Sequence, residues 1–199
     1  WMLLSHLDVI VLTLMASPTQ AALYLVARRL AGLLALLFDA LRSALAPALS
    51  RAYHQRAGFG GLAARTNLGF FLIGGGAATA LAVLGPLTLP LFGPQFAGAA
   101  SVLIWLTLGQ AAPALFGATG MLMTMTDMER SRAVLIWIAI PVTAMAQLYA
   151  ATQSLHALAV TTTISQLAFA GLCAAALAHR HGILPGLTAL LHPKLRFKV

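Results

Sequence analysis

Two adjacent arginines, Arg28 and Arg29, stand inside a long apolar stretch, whereas nearly every other Lys and Arg falls between such stretches. Inserting a cation into the hydrocarbon of a bilayer costs about 2.5–3.5 kcal/mol on insertion scales. Such a residue needs an internal partner, a water-filled cavity or an anionic ligand. Arginine suits phosphate because its planar guanidinium can donate two parallel hydrogen bonds. The two arginines are therefore the first candidates for a functional site.

Asp8 is the predicted partner of Arg28. Asp8 lies ten residues before Pro18 and Arg28 lies ten residues after it. In a helical hairpin that turns at Pro18, the two side chains share one depth, roughly 15 Å from the turn and about mid-bilayer. Asp8 and Arg28 either only neutralise each other, or Arg28 also faces a cavity that accepts an anion. The spacing predicts the ion pair and leaves both roles open.

A helical period of 3.6 residues places polar and small side chains on one stripe of the second apolar stretch. The stripe consists of Tyr24, Arg28, Ala31, Ala35, Asp39 and Arg42. Its composition suits the interior of a bundle or the lining of a cavity. Arg29 points about 100° away from Arg28, so it either borders the cavity or packs against a neighbouring helix.

The composition of the chain excludes an ordinary soluble protein. Of its 199 residues, 60% are hydrophobic and only 8% are charged, against roughly 25% charged in a soluble domain. The net charge of +8 does not indicate nucleic-acid binding, because the basic residues flank apolar stretches and form no continuous face. A single cysteine, Cys173, excludes an internal disulfide framework.

Six apolar stretches approach the roughly 20 residues that a membrane-spanning helix needs. They run from the start of the chain to about Ala16, Thr19 to Leu45, Thr66 to Phe92, Ala97 to Met125, Ala133 to Ala150 and Leu155 to Leu177. Barrel strands are excluded because the stretches are long and do not alternate. The sequence predicts an all-α, polytopic membrane bundle of about six transmembrane helices over residues 1–178, followed by a short basic tail over residues 179–199.

The segments between these stretches alternate in charge. Lys and Arg are absent from Ser17–Gln20, Gly93–Gln95 and Thr152–Ser154, but present in Arg51–Arg65, Thr126–Arg132 and the tail. The positive-inside rule then predicts a cytoplasmic C-terminus. Lys194, Arg196 and Lys198 suit an interfacial tail near anionic lipids, and a disordered end is the alternative. Since the chain begins inside an apolar segment that lacks signal-peptide features, we expect it to be the C-terminal part of a longer protein.

Sequence motifs of soluble enzymes are absent. There is no phosphate-binding Gly-rich loop ending in Lys-Ser or Lys-Thr, and no HExxH, CxxC or GxSxG. We predict a protein that is not an enzyme and that has no cofactor or metal. We interpret Gln110, Gln147 and Gln166 as helix-bridging residues, and the hydroxyls of Thr161–Thr163 as bonded to their own helix. Pro113, Pro141 and Gly74–Gly76 are read either as points of bending or as plain packing residues.

Four segments of the chain resemble a known family. SHLDVIVL and ASPTQAALYLVARRLAGLLALLFDALRSALAPALSRAY resemble the seventh and eighth membrane helices of bacterial polysaccharide flippases, members of the multidrug/oligosaccharidyl-lipid/polysaccharide exporter superfamily. The matching positions are Asp8, Tyr24, Ala27, Leu30, Leu45, Pro47 and Ser50, and further along Phe92, Gly93, Phe96, Ala99 and Ala100. MLMTMTDMER is similar to the family's next loop, but Asp127 stands where the family often has Gly.

The resemblance implies a bacterial inner (cytoplasmic) membrane transporter. Such a flippase moves undecaprenyl-diphosphate-linked oligosaccharide from the cytoplasmic to the periplasmic leaflet, for O-antigen, lipopolysaccharide or exopolysaccharide biosynthesis. Two six-helix lobes alternate access, so the implied partners are the N-terminal lobe of the same protein, the lipid-linked oligosaccharide and membrane lipids. On this basis we predict substrate binding by Tyr24, Arg28 and Arg29. We predict charge pairing or ion coupling by Asp8, Asp39 and Arg42.

Two other functions remain open at this point. A multidrug/cation antiporter of the same superfamily needs carboxylates in its cavity, and the interior offers Asp8 and Asp39 against two or three arginines. That balance favours an anionic substrate. A non-transporting membrane assembly subunit is the other alternative, and it has no need of arginines at mid-membrane depth.

Overall fold

Helices form all the regular secondary structure in the described part of the chain. The computed structural model describes residues 2–55 and 59–181. Its α-helices are α1 Met2–Met15, α2 Pro18–His54, α3 Phe59–Gly69, α4 Gly75–Thr88, α5 Ala100–Gln110, α6 Ala112–Phe116, α7 Thr119–Met125, α8 Glu129–Gln153 and α9 Leu155–His181. The predicted all-α bundle is confirmed. Arg56 and the proposed interfacial tail, residues 182–199, lie outside the described residues.

Five helical segments within the described residues are long and apolar enough to cross a bilayer. They are Pro18–His54, Gly61–Phe92, Pro94–Phe116, Glu129–Gln153 and Leu155–His181. They correspond to the second through sixth apolar stretches of the sequence. The first stretch forms the shorter helix α1, whose apolar part runs from His6 to Met15. These segments are those of a multi-pass membrane protein.

The helices extend further than the apolar stretches. Helix α2 begins with a capping box between Ser17 and Gln20, has Pro18 in its first turn and continues through Pro47 to His54. Arg51 therefore lies in its last turn, where a cation interacts favourably with the helix dipole. Similarly, α8 begins at Glu129, so basic residues predicted in loops lie on helix ends. Arginine is a good helix former, which explains why these ends remain helical.

Three apolar clusters follow one another along the bundle. One contains Val11, Leu12, Tyr24, Leu103 and Leu158; the middle one contains Leu34, Phe38, Phe70, Ala78 and Ala114; the third contains Leu49, Phe59, Leu122, Met128 and Leu177. In the third, the C-termini of α2 and α9 meet the N-termini of α3 and α8. We call this the basic end and the opposite one the uncharged end. The charge alternation of the sequence thus corresponds to the two ends of the bundle.

The fourth apolar stretch, in which the sequence offers Pro113 as a possible point of bending, is not one continuous helix. It comprises a 3-10 turn, Pro94–Ala99, followed by α5, α6 and α7, with breaks at Ala111 and at Gly117. Pro113 lies in the first turn of α6, where its missing N–H costs nothing. Gly117 has a φ of 64°, a conformation that glycine adopts without steric cost. The helix of the fourth apolar stretch is therefore interrupted twice, near Pro113 and at Gly117.

A second irregularity lies beside the first. The π-helical turn Phe70–Gly74 joins α3 to α4 and packs against α6. Phe70 stacks on Phe38 of α2, with ring centroids 5.7 Å apart and an interplanar angle of 12°. A Cβ atom at Gly74 would overlap the ring of Phe38, whereas Cβ atoms at Gly75 or Gly76 would meet no atom within 4 Å. Of the three consecutive glycines, only Gly74 is required by packing.

We predict that Gly74→Ala destabilises the protein while Gly75→Ala and Gly76→Ala do not. The new methyl group would displace Phe38 from its stack, and overpacking of this kind costs about 1–3 kcal/mol. The measurement is thermal unfolding of the purified protein in detergent. Equal transition temperatures for all three variants would contradict the close approach of Phe38 to Gly74.

Candidate functional site: a buried polar cluster across four helices

The carboxylate of Asp8 lies at the centre of the most polar part of the interior. Asp8 is on α1 and only 1% exposed. Its Oδ2 atom lies 2.8 Å from Nε of Arg28 and accepts a hydrogen bond of 2.8 Å from the hydroxyl of Tyr24. Tyr24 and Arg28 are four residues apart on α2, so both reach the same oxygen from one face of that helix. Asp8 and Arg28 therefore meet, as their equal distance from Pro18 predicts.

Two further helices join this contact through hydroxyl and amide groups. The hydroxyl of Tyr24 lies 3.5 Å from Oγ1 of Thr162 on α9. Thr162 accepts a hydrogen bond of 3.1 Å from Nε2 of Gln147 on α8 and donates one of 2.9 Å to the carbonyl of Leu158. We call Asp8, Tyr24, Arg28, Gln147 and Thr162 the polar cluster. It links α1, α2, α8 and α9 at one level of the bundle.

The ion pair in this cluster is sheltered from solvent. The side chain of Arg28 is 11% exposed and that of Asp8 is 1% exposed. In a low-dielectric environment, opposite charges attract strongly but each also loses its hydration, so the pair is tolerated only with good geometry and additional hydrogen bonds. The hydroxyl of Tyr24 supplies one such bond. Removing one charge would leave the other buried without compensation.

Arg29 lies in a different environment from its neighbour. Its side chain is exposed, and it has no ion pair with any carboxylate in the described part of the chain. The sequence left open whether Arg29 borders a cavity or packs against another helix. The structure places it on the outer surface of α2. Arg29 stands 11 residues after Pro18, which is about 16 Å along the helix and close to mid-bilayer depth.

Arg29 begins a continuous exposed stripe along α2. We call it the α2 stripe, and its members are Arg29, Leu33, Leu36, Ala40 and Ser43. Asp39 and Arg42 flank it and form an ion pair with each other in which both side chains are substantially exposed. The exposed face of α8 is different, because it is apolar between the two ends of the helix: Val134, Trp137, Ile138, Val142 and Met145. The two faces therefore suit different surroundings.

The stripe of polar and small residues predicted on α2 divides into two parts. Tyr24 and Ala31 are buried, and Arg28 is nearly so, whereas Asp39 is exposed. The bundle-interior alternative is therefore confirmed for Tyr24 and Ala31, whereas Asp39 lies on the exposed surface of the helix. The structure brings Asp8, Tyr24 and Arg28 together and keeps Asp39 and Arg42 apart from them as a separate pair. These contacts do not test substrate binding or ion coupling, which stay predictions.

Gln147 bridges two helices and Thr162 bonds to its own helix, as the sequence predicts. Their connection to Asp8 through Tyr24 was missed. Counting residues from the turns could have found it. Gln147 lies seven residues before Ser154 and Thr162 lies eight residues after it, while Tyr24 lies six residues after Pro18. At about 1.5 Å per residue these side chains are at similar depths. The sequence does not show which helices are neighbours, however, and depth alone does not establish contact.

An open depression of about 310 Å³ lies at the uncharged end of the bundle. Its polar lining residues are Gln20, Ser101, Gln153, Ser154 and His156. The predicted substrate-binding residues Tyr24, Arg28 and Arg29 do not line it. The depression is therefore separate from the predicted site.

Comparisons with protein-family models, with curated proteins and with solved structures each found no match to this chain. The fold and site described above define a helical membrane protein with a buried ion pair.

We predict strong energetic coupling between Asp8 and Arg28. Asp8→Ala or Arg28→Ala alone should each lower the free energy of unfolding by about 3–5 kcal/mol, because one uncompensated charge remains buried. The double variant should lose clearly less than the sum of the two. A double-mutant cycle measured by unfolding in detergent gives this coupling energy.

The exposed pair of Asp39 and Arg42 is the matched control, with an expected coupling below about 1 kcal/mol. Additive losses for the Asp8 and Arg28 variants would show that the buried contact is energetically unimportant.

Proposed function

We propose that this chain is part of a membrane transporter that flips an oligosaccharide linked to a lipid diphosphate, and that the α2 stripe faces its aqueous path. The observation that carries this proposal is the exposed side chain of Arg29 near mid-bilayer depth. The resemblance of this region to polysaccharide flippases supports the choice of substrate class.

In this proposal the α2 stripe does not face lipid hydrocarbon. Guanidinium remains protonated in proteins, and a cation facing hydrocarbon is costly. Asp39 and Arg42 beside the stripe add two more charged groups, and both are substantially exposed. The exposed face of α8 is apolar and suits contact with lipid tails. Water or a polar partner surface must therefore cover α2.

The charges around Arg29 favour an anionic ligand. The charge of Arg28 is opposed by Asp8 at 2.8 Å, so the neighbouring Arg29 leaves this level of α2 with a net positive charge. An anion entering the aqueous path would be attracted there. A diphosphate offers several oxygens for charge-assisted, bidentate hydrogen bonds from a guanidinium. In this proposal Arg29 contacts the diphosphate, while Asp8 and Tyr24 hold Arg28 and fix the rotation of α2.

The alternative functions fit these contacts less well. A drug/cation antiporter needs accessible carboxylates, but Asp8 is buried against Arg28 and Asp39 is paired with Arg42. An assembly subunit would need Arg29 only if a partner protein supplied a carboxylate to it. Pairing of Arg29 with a partner protein does not require an anionic lipid substrate, so a transport assay distinguishes the two functions.

We predict that Arg29→Ala impairs transport while leaving the protein folded. Loss of a charge-assisted hydrogen bond of about 1.5–3 kcal/mol corresponds to about a 10- to 100-fold reduction in flipping. The measurement is surface polysaccharide in a flippase-deficient bacterial strain that expresses the full-length protein at matched membrane abundance. Arg29→Lys, which keeps the charge but loses the bidentate geometry, should be intermediate.

Arg51→Ala is the matched control, because Arg51 is an exposed arginine of the same helix at its basic end. Its polysaccharide level should equal that of the unmodified protein. Full restoration by Arg29→Ala would contradict the proposed role. Normal assembly with partner proteins combined with lost polysaccharide would favour transport over the assembly function.

A further inference from the structure

The open depression at the uncharged end lies where three parts of the chain meet. They are the first turns of α2, the segment Gly98–Val102 at the start of α5, and the turn between α8 and α9. The volume of about 310 Å³ is at the lower end of the range of about 300–1,000 Å³ for small-molecule sites. The depression therefore accommodates a ligand the size of one sugar ring, but not a whole lipid.

The polar side chains of the depression are amides, hydroxyls and an imidazole. Among the described residues that line it, none is Lys, Arg, Asp or Glu. Amides, hydroxyls and neutral imidazole each donate as well as accept hydrogen bonds. Hydroxyl groups of a ligand do the same, so this lining matches a neutral ligand rich in hydroxyls better than it matches an ion. The polar residues are Gln20, Ser101, Gln153, Ser154 and His156.

Three of these side chains are partly held in place. Oε1 of Gln20 accepts a hydrogen bond of 3.4 Å from the backbone N–H of the residue that caps α2, and Nε2 of Gln153 lies 3.5 Å from a neighbouring hydroxyl. Within the described residues, Nε2 of Gln20 and Oε1 of Gln153 have no hydrogen bond of their own. The ring of His156 packs edge-to-face against Trp105, with centroids 6.1 Å apart. Such holding reduces the entropy lost when side chains are ordered by a ligand.

Apolar side chains complete the lining beside these polar groups. Leu23, Val102 and Leu155 contribute them. A Cβ atom at Gly98, which also lines the depression, would meet no atom within 4 Å, so this glycine leaves space free. A sugar ring carries hydroxyls around its rim and C–H groups on its faces. Polar groups next to apolar side chains therefore suit a sugar ring.

We propose that this depression binds a single neutral sugar residue. The amides of Gln20 and Gln153 and the hydroxyl of Ser101 bond to the hydroxyls of the sugar, and a ring face packs against the apolar side chains. For so small a ligand in an open site, we expect a dissociation constant on the order of 1 mM. The site is independent of the proposed transport function, because it contains neither Arg28 nor Arg29 and is tested by binding alone.

The test measures how sugars protect a cysteine placed in the depression. Gly98→Cys is introduced into the full chain together with Cys173→Ala, and the protein is purified in a neutral detergent without a sugar headgroup. Its reaction rate with a charged thiol reagent is measured with glucose, galactose, mannose or N-acetylglucosamine, with anionic glucuronate, and with the open-chain polyol sorbitol. A neutral sugar at about ten times its dissociation constant should slow the reaction about tenfold. Glucuronate should protect less, and sorbitol should not protect.

Ala97→Cys is the matched control, because Ala97 is exposed next to Gly98 but does not line the depression. No sugar should change its reaction rate. Failure of all four neutral sugars to protect Gly98→Cys would overturn the proposal. Equal protection of Ala97→Cys, equal protection by sorbitol or stronger protection by glucuronate would overturn it as well.

Two variants test the assigned hydrogen bonds in the Gly98→Cys background. Ser101→Ala and Gln153→Leu should each weaken binding of the protecting sugar about two- to tenfold, the effect of losing one neutral hydrogen bond. Both residues are exposed, so these substitutions leave the apolar core intact. Gln95→Leu removes an exposed amide that does not line the depression and should leave binding unchanged. Unchanged binding in both test variants, or equal weakening by Gln95→Leu, would overturn the assigned contacts.

An alkyl glycoside of the protecting sugar distinguishes a free sugar from one carried on a lipid. Stronger protection by the glycoside than by the free sugar at Gly98→Cys, without protection of Ala97→Cys, identifies a lipid-linked sugar as the ligand. Equal protection by the two compounds identifies a free saccharide.

Discussion

The contact between Asp8 and Arg28 is the constraint on which the rest of this bundle depends. Two opposite charges separated by 2.8 Å in a nearly solvent-free interior fix how far α1 and α2 slide past each other and how α2 is rotated. Adjacent residues of a helix point about 100° apart. Once Arg28 is turned inward to Asp8, Arg29 is turned outward. The exposed arginine and the α2 stripe are consequences of the buried pair.

The polar cluster also explains how helices distant in sequence are held at one level. Tyr24 connects the ion pair to Thr162, and Gln147 connects Thr162 to α8. Between membrane helices such hydrogen bonds contribute about 0.6 kcal/mol on average and up to roughly 1.7 kcal/mol. These hydrogen bonds mainly fix the relative positions of the helices, because each restricts the register of one helix against another. Toward the basic end, irregular backbone replaces polar contacts, where the π-helical turn meets α6.

The sequence predicts the helices and the ion pair because both depend on local spacing. Apolar length identifies the membrane segments, and equal distances from Pro18 identify Asp8 and Arg28 as partners. The break at Ala111 lies beside Pro113, which the sequence offers as a possible point of bending. The break at Gly117 was not predicted, because a single glycine is tolerated within a helical pattern. The link from Tyr24 to Thr162 was also missed, since it depends on which helices pack together. The sequence predicts that Arg29 either borders a cavity or packs against a neighbouring helix; its exposed position on α2 depends on the rotation of the helix, which spacing alone does not give.

The proposed function requires the α2 stripe to face water while the exposed face of α8 contacts lipid. Leu33 and Ile138 provide a matched comparison, because each lies 15 residues from the uncharged end of its helix and their exposures are 54% and 59%.

The decisive measurement is the reaction rate of Leu33→Cys and Ile138→Cys with a charged, water-soluble thiol reagent. It is made on the full-length protein in native membranes, with Cys173 replaced by Ala. Thiolate is the reacting species and needs water, so we expect rapid labelling at position 33 and little labelling at position 138. Equal protection of both cysteines would show that the α2 stripe is covered by lipid or by a dry protein surface and does not face an aqueous path.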